Sequence, residues 1–136
     1  KFRTDDGECA GTLDLKAQGT RIFVDAARAF ALALGIAETN TSQRLRLAGR
    51  RLTIDERQMA STVEAYHFLQ MLRLRSQRGE LEPEPAGVPD ATRGGSRTAV
   101  NRVDPYALND LDQRLLKEAF RQARALQKQL EQAIGQ

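Results

Sequence analysis

The stretch that decides the fold of this 136-residue chain is Thr20–Gly35, with the sequence TRIFVDAARAFALALG. Eleven of its first fifteen residues are apolar. Its charged residues, Arg21, Asp25 and Arg28, are spaced i, i+4 and i+7, so on a helix they form one thin polar stripe. A helix that is apolar on its other sides is expected at the centre of a small soluble bundle, surrounded by other helices. Gly35 is placed to end this helix as a left-handed cap.

Hydrophobic periodicity predicts three more helices after this one. They are expected at about 42–51, 54–78 and 109–134. Asn40 and Thr41 are cap-type residues before the first of them. Thr53 is the predicted N-cap of the next, whose first turn carries Asp55 and Glu56, and these acids suit the helix dipole.

The last predicted helix is amphipathic. Its apolar stripe consists of Leu111, Leu115, Ala119, Ala123, Leu126, Leu130 and Ala133. On the opposite side lies a basic ridge formed by Lys117, Arg121, Arg124 and Lys128. No strand is predicted, because Thr12–Lys16 alternates polar and apolar residues over too short a length. The predicted fold class is all-α, an antiparallel bundle of about four helices.

The predicted bundle domain covers 13–136, after a flexible lead-in at 1–12 that we expect to come from a preceding domain. A mobile loop is predicted at about 79–100, where three of the four prolines lie. Because the chain begins at Lys1 rather than methionine, we expect it to be part of a longer protein. One cysteine and no apolar leader predict a reducing, cytoplasmic compartment. No membrane partner is expected, because no predicted helix is long and apolar enough to cross a bilayer.

The surface charge is mixed and mildly basic. Lysine and arginine number 21 and the acids 18, which gives a net charge of +3. This permits an anionic partner such as a nucleotide without requiring one. Seven aromatic residues and no tryptophan do not favour a nucleic-acid platform on which bases stack. The basic ridge is either a solvated face or a weak, sequence-independent nucleic-acid contact.

Two groups of charged residues are candidates for binding. The stripe of Arg21, Asp25 and Arg28 is either an intrahelical charge network or a site where Asp25 orients two guanidiniums towards a phosphate or an acidic partner. Arg73 and Arg75 crowd the end of the third helix near Gln77. They either complement the helix dipole or form an edge that faces a polyanion.

Catalytic and metal-binding motifs are not found. The chain has no phosphate-loop lysine motif, no GxGxxG after a strand and no GxSxG elbow. Gly94-Gly95-Ser96 followed by Asp104 is only faintly similar to a nucleotidyltransferase signature, because no second acid follows Asp104. His67, the single histidine, is either packed in an interface or a general base. One histidine and one cysteine do not provide a metal-ligand cluster.

Several short segments together resemble one family, the nucleotidyltransferase substrate-binding domain, formerly a domain of unknown function. The similar residues before the loop are Leu13–Lys16, Arg21–Ile36 with Val24–Arg28 at its core, Asn40–Thr41, Arg44–Leu45, Glu64–Leu69, Leu72–Arg75 and Gln77. After the loop they are Asn101, Asp104–Pro105, Leu108, Leu115–Phe120 and Leu126–Gln127. The resemblance covers about Leu13–Leu81 and Asn101–Gln132.

The resemblance implies an accessory helical domain in the C-terminal part of a bacterial signalling protein. It implies a partner in the same chain, a nucleotidyltransferase-like catalytic domain, often preceded by CBS and cyclic-nucleotide-binding domains. It also implies distant kinship with the enzyme that uridylylates the PII protein. The chain itself would then be no enzyme and hold no cofactor, and magnesium and a nucleoside triphosphate would belong to the parent protein.

The resulting hypothesis is a domain that binds a nucleotide or an acidic partner. Its candidate site residues are Lys16, Arg21, Asp25, Arg28, Arg73, Arg75 and Gln77. The alternative hypothesis is a regulatory or dimerisation module without a ligand, because the third and fourth helices carry more apolar surface than one domain can be expected to bury.

Overall fold

The computed structural model describes Phe2, residues 12–79 and residues 101–134. Four α-helices form the domain: α1 (Arg21–Leu34), α2 (Thr41–Arg51), α3 (Glu56–Gln77) and α4 (Asp110–Ile134). A π-helical turn, Lys16–Thr20, runs directly into α1, and a 3₁₀ turn, Pro105–Ala107, precedes α4. The predicted all-α bundle of four helices is confirmed. Within the described ranges, no helix has both the length and the apolarity needed to cross a bilayer.

Local side chains set most helix ends. Gly35 adopts the left-handed conformation (φ 70°) and ends α1, as predicted, because glycine has no Cβ to oppose a positive φ. The side chain of Asn40 caps α2 by accepting a hydrogen bond from the backbone N–H of Gln43 (3.1 Å). The predicted cap of α3 was wrong: Asp55 is the N-cap residue, not Thr53. Thr53 instead turns the chain with a φ of 55°, whereas an N-cap needs extended backbone.

The two flanking helices α2 and α4 both run antiparallel to α3. Gly49 near the end of α2 lies against Met59 near the start of α3, while Ser42 at the start of α2 meets His67 further along α3. On the other flank, Gln58 bonds to Gln122 of α4 and Arg75 pairs with Asp112. These partner positions run in opposite directions, which is the signature of antiparallel packing.

Helix α1 packs beside α2 and α4 and reaches α3 through the core. Phe23 and Phe30 are fully buried, and the Phe23 ring lies 5.7 Å from that of Tyr66 in α3. The prediction that other helices surround α1 was wrong. Leu32 is 87% exposed and extends the exposed stripe of Arg21, Asp25 and Arg28. The alanines Ala26, Ala27 and Ala31 are buried instead, so the exposed side of α1 consists mainly of its charged residues and Leu32.

The buried face of α4 differs from the prediction at both ends. Ala119, Ala123 and Leu126 are buried, as expected. Leu111 and Leu115 are 62% and 41% exposed, and Ala133 is exposed too. The inward positions of the first two turns are taken by Asp112 and the fully buried Leu116. Asp112 occupies its position because Arg75 of α3 supplies a counter-charge there (Nη1–Oδ2 3.3 Å).

A short antiparallel ribbon, which the sequence did not predict, ties the start of the bundle to its last third. Strand β1 (Leu13–Asp14) pairs with β2 (Arg102–Val103) in the register Leu13↔Val103 and Asp14↔Arg102. Leu13 and Val103 are both buried, so each strand contributes to the core. The ribbon continues where the backbone N–H of Leu15 donates to the carbonyl of Asn101 (2.8 Å). It holds the π-helical turn, and thus the start of α1, against α3.

The predicted lead-in at 1–12 and the predicted loop at 79–100 lie almost entirely outside the described residues. Phe2 is described, and it packs by its edge against Tyr106 and Phe120, with ring centroids 5.4 and 6.4 Å away.

Candidate anion-binding site

Three of the predicted site residues lie on the exposed stripe of α1, and a fourth lies in the turn before it. Arg21, Asp25 and Arg28 are all exposed, and Lys16 is exposed at the start of the π-helical turn. Among the residues that the structure describes, no ion pair or hydrogen bond joins the side chains of Arg21, Asp25 and Arg28. The geometry therefore contains neither an intrahelical network nor a carboxylate that holds two guanidiniums. These cations project into solvent.

Arg73, by contrast, is bound within the domain. It is half-buried, and its Nε donates to Oδ1 of Asn101 (3.0 Å) while Nη1 donates to Oγ1 of Thr20 (3.1 Å). Thr20 is 2% exposed. The guanidinium thus links α3 to the residue before β2 and to the start of α1. Its rigid fork suits this bridging position, where lysine would offer only a point charge.

Arg75 does not join Arg73 and Gln77 on one surface. Arg75 faces α4, where it pairs with Asp112, and Gln77 is exposed at the last position of α3. Residues two apart on a helix point to different sides, so Arg75 is separated from both, whereas Gln77 follows Arg73 one turn later on the same face. The structure therefore brings Arg73 close to Thr20, next to Arg21, and places Arg75 on another side of the bundle.

An open groove lies where α4 packs against the start of α1. Its volume is about 660 Å³, within the usual range for small-molecule sites. From α1 and the preceding turn it is lined by Gln18 and Ile22; from α4, by Lys117, Phe120, Arg121, Ala123 and Arg124; Phe2 closes one side. We call it the α1–α4 groove. The apolar residues form its floor and the cations its rim.

The electrostatics of the α1–α4 groove are one-sided. Among the described lining residues are three cations and no carboxylate. Glu118 lies next to this lining on α4, and its charge is already shared, because Oε1 accepts from Arg121 (2.5 Å) and Oε2 accepts from Gln122 (2.7 Å). The ammonium of Lys117 lies 5.4 Å from the centroid of the Phe2 ring, a cation–π distance. The groove therefore offers positive charge beside aromatic surface.

Sequence reasoning found only part of this groove. The spacing of Lys117, Arg121 and Arg124 was noted as a basic ridge, but its relation to α1 requires knowledge of helix packing. Phe2 lies far from α4 in sequence and has no local pattern to identify it. Ile22 belongs to the stretch that decides the fold, where apolarity indicates a core residue as readily as a groove floor.

His67 is neither packed in the core nor arranged for catalysis. It is exposed, and its Nε2 lies 2.9 Å from Oγ of Ser42 at the start of α2. In the described ranges no carboxylate contacts its other ring nitrogen, which a serine–histidine pair would need for orientation. No cluster of histidine, cysteine and acidic residues suited to a metal ion occurs in the same ranges.

The comparison with protein families found a match over nearly the whole chain. A family model described as "Putative nucleotidyltransferase substrate binding domain" matches residues 1–134. The chain belongs to this family. The substrate-binding domain is thus nearly the whole chain, and the family is one of domains associated with a nucleotidyltransferase. No curated protein and no solved structure matches it.

Proposed function

We propose that this substrate-binding domain holds a phosphate-bearing ligand, a nucleotide in the first place, for a catalytic domain in the same chain. The nucleotidyl transfer itself, with its metal ions and paired carboxylates, belongs to that catalytic domain. We further propose that the protein to which this domain belongs is a bacterial, cytoplasmic signalling protein related to the enzyme that uridylylates PII. An acidic protein surface is the alternative ligand, because it too carries negative charge.

The observation that carries the proposal is positive charge without a described ion-pair partner on the exposed faces of α1 and α4. Arg21 and Arg28 on α1, and Lys117 and Arg124 on α4, are exposed, and none of them forms an ion pair with a described residue. Cations that form no ion pair with the described residues are available to bind anions, and arginine binds phosphate by two parallel hydrogen bonds.

The predicted site residues take different parts in this proposal. Lys16, Arg21 and Arg28, which are exposed, are the residues we assign to contact with the ligand or an acidic partner. Arg73 and Arg75 support the bundle through their bonds to Thr20, Asn101 and Asp112. Gln77 and Asp25 have no described side-chain partner. Gln77 is a contact only if the catalytic domain covers the end of α3.

The test is a calorimetric titration of this chain, and of the protein in which it adjoins its catalytic domain, with ATP, GTP, CTP and UTP, with and without Mg²⁺. The variant Arg21→Gln with Arg28→Gln removes two cations, and Arg57→Gln, an exposed arginine at the start of α3, is the matched control. We expect saturable binding by the chain, about three- to tenfold weaker in the double variant and unchanged in the control. Absence of binding in both proteins would refute the proposal.

A second candidate function is supported by a separate observation. Four apolar residues are 41–62% exposed and lie within four positions of the Arg75–Asp112 pair along α3 and α4: Met71, Leu74, Leu111 and Leu115. We call these four residues the α3–α4 patch. Exposed apolar patches of this kind mark interaction surfaces, so the alternative is a dimerisation or regulatory module.

Sedimentation of the chain at high concentration tests this alternative. Leu111→Ser with Leu115→Ser should convert a dimer to a monomer, and Leu32→Ser, at a more exposed leucine on α1, should not. A wild-type chain that is monomeric at every concentration would remove dimerisation from consideration and leave the ligand-binding proposal unaffected.

A further inference from the structure

We infer that the α1–α4 groove is a nucleotide site, in which Lys117, Arg121 and Arg124 hold the phosphates and the apolar floor holds the base. The inference rests on the proposed function and goes further, because it assigns the ligand to a particular groove. None of these residues belongs to the set predicted from sequence.

The arrangement of charge favours a chain of phosphates over a single one. The three cations follow each other at i, i+4 and i+7 on α4, which spreads them over about 10 Å along the helix axis. A compact anion such as inorganic phosphate meets the charge of one or two of them. A di- or triphosphate lies along the row and meets all three. Their mutual repulsion in the free groove is relieved when the anion binds.

Arg121 is the central cation, and it is positioned by its own helix. Glu118 accepts from Arg121 through one carboxylate oxygen and from Gln122 through the other. Gln122 is buried and bonded to Gln58 and Thr62 of α3. Glu118 is therefore anchored to the α3–α4 interface and restricts the rotation of the guanidinium. A cation whose side chain is already ordered loses less entropy when it binds a ligand.

The apolar floor of the groove is the part of the site that we assign to the nucleotide base. Ile22, Phe120 and Ala123 line the groove, with Phe2 at its side. Phe2 meets Phe120 edge to face, and the Lys117 ammonium lies over the Phe2 ring, so we assign the base to the Phe120 side of the floor. Arginine planes also stack on bases. A groove for inorganic anions alone would not need aromatic residues from two distant parts of the chain.

The experiment is calorimetry of the 136-residue chain with ATP, with pyrophosphate and with adenosine as probes. Arg121→Gln with Arg124→Gln removes two groove cations. Lys128→Gln is the matched control, because Lys128 continues the same row one turn beyond the groove lining. We expect ATP affinity to fall at least tenfold in the double variant and less than twofold in the control. Phe120→Leu should weaken ATP binding several-fold and leave pyrophosphate binding unchanged.

The possible results separate this inference from the proposed function. If ATP binds and the Arg21–Arg28 double variant weakens it while the groove variants do not, the domain binds nucleotide elsewhere and the inference fails alone. Equal affinities for ATP and pyrophosphate, with no effect of Phe120→Leu, would replace the nucleotide by an inorganic polyanion. No binding of any probe, by the chain or by the protein with its catalytic domain, would refute both. A thermal melt of each variant shows that the fold is retained.

Discussion

Replacement of Arg73 by alanine tests whether this arginine stabilises the fold or binds ligand. The substitution removes two hydrogen bonds, to Asn101 and to Thr20. Hydrogen bonds from a charged group contribute about 1.5–3 kcal/mol each when protected from water. Arg73 is half-buried, so we take less than the full value for each. The Thr20 hydroxyl, 2% exposed, also loses its partner. The expected loss in the free energy of unfolding is about 2–3 kcal/mol.

The assay is urea unfolding of the chain, followed by circular dichroism and fitted with a common slope. For a domain of this size the same loss corresponds to a fall in melting temperature of about 6–12 °C. Arg73→Lys retains the charge without the fork and should lose most of the same stability. Gln77→Ala, four residues later on an exposed position, should remain within about 0.5 kcal/mol of wild type.

Nucleotide affinity, measured on the folded fraction of Arg73→Ala, should equal that of the wild type. The reasoning is refuted if unfolding is unchanged within about 0.5 kcal/mol while ATP affinity falls tenfold or more. That result would mean that Arg73 binds ligand, as the sequence predicted.

Three further predictions concern single positions. Gln122→Ala should lower the free energy of unfolding by about 1–2 kcal/mol, because it leaves the half-buried Gln58 amide without its partner. The Thr62 hydroxyl retains the backbone carbonyl of Gln58 as its acceptor. Gln127→Ala, exposed on the same helix, should have little effect in the same denaturation assay. Asp25→Asn should strengthen ATP binding about twofold in calorimetry, because this carboxylate lies between Arg21 and Arg28 on the exposed stripe of α1 and repels phosphates there. Weaker binding would instead support the role of Asp25 in orienting arginines. Gly35→Ala should lower the free energy of unfolding by about 1 kcal/mol, because residue 35 has a positive φ. Equal stability of the variant and the wild type would contradict the assigned cap.

The sequence predicted the helices well where short-range chemistry decides them. The end of α1 at Gly35 and the start of α2 after Asn40 follow from single residues whose backbone or side chain satisfies a helix terminus. The third and fourth helices were predicted to within two residues of their bounds. The family was also recognisable from short segments spread along the chain.

The candidate site was not recognisable in the same way. Cations at helical spacing give the same sequence pattern whether they lie on a solvated face or on the rim of a groove. Only the packing of α1 against α4 shows that Lys117, Arg121 and Arg124 line a cavity with Ile22. Likewise, only the position of Thr20 beside α3 shows that Arg73 has partners inside the domain.

By itself, then, the sequence determined the fold class, most helix ends and the family, because these depend on interactions between residues a few positions apart. The tertiary structure alone decided which side of α1 remains exposed, why Asp112 rather than Leu111 faces inward, and that Leu13 pairs with Val103. Each of these features depends on a partner that is distant in sequence. The local pattern allows more than one arrangement, and the charge, backbone groups or volume of that partner decides which arrangement has the lowest free energy.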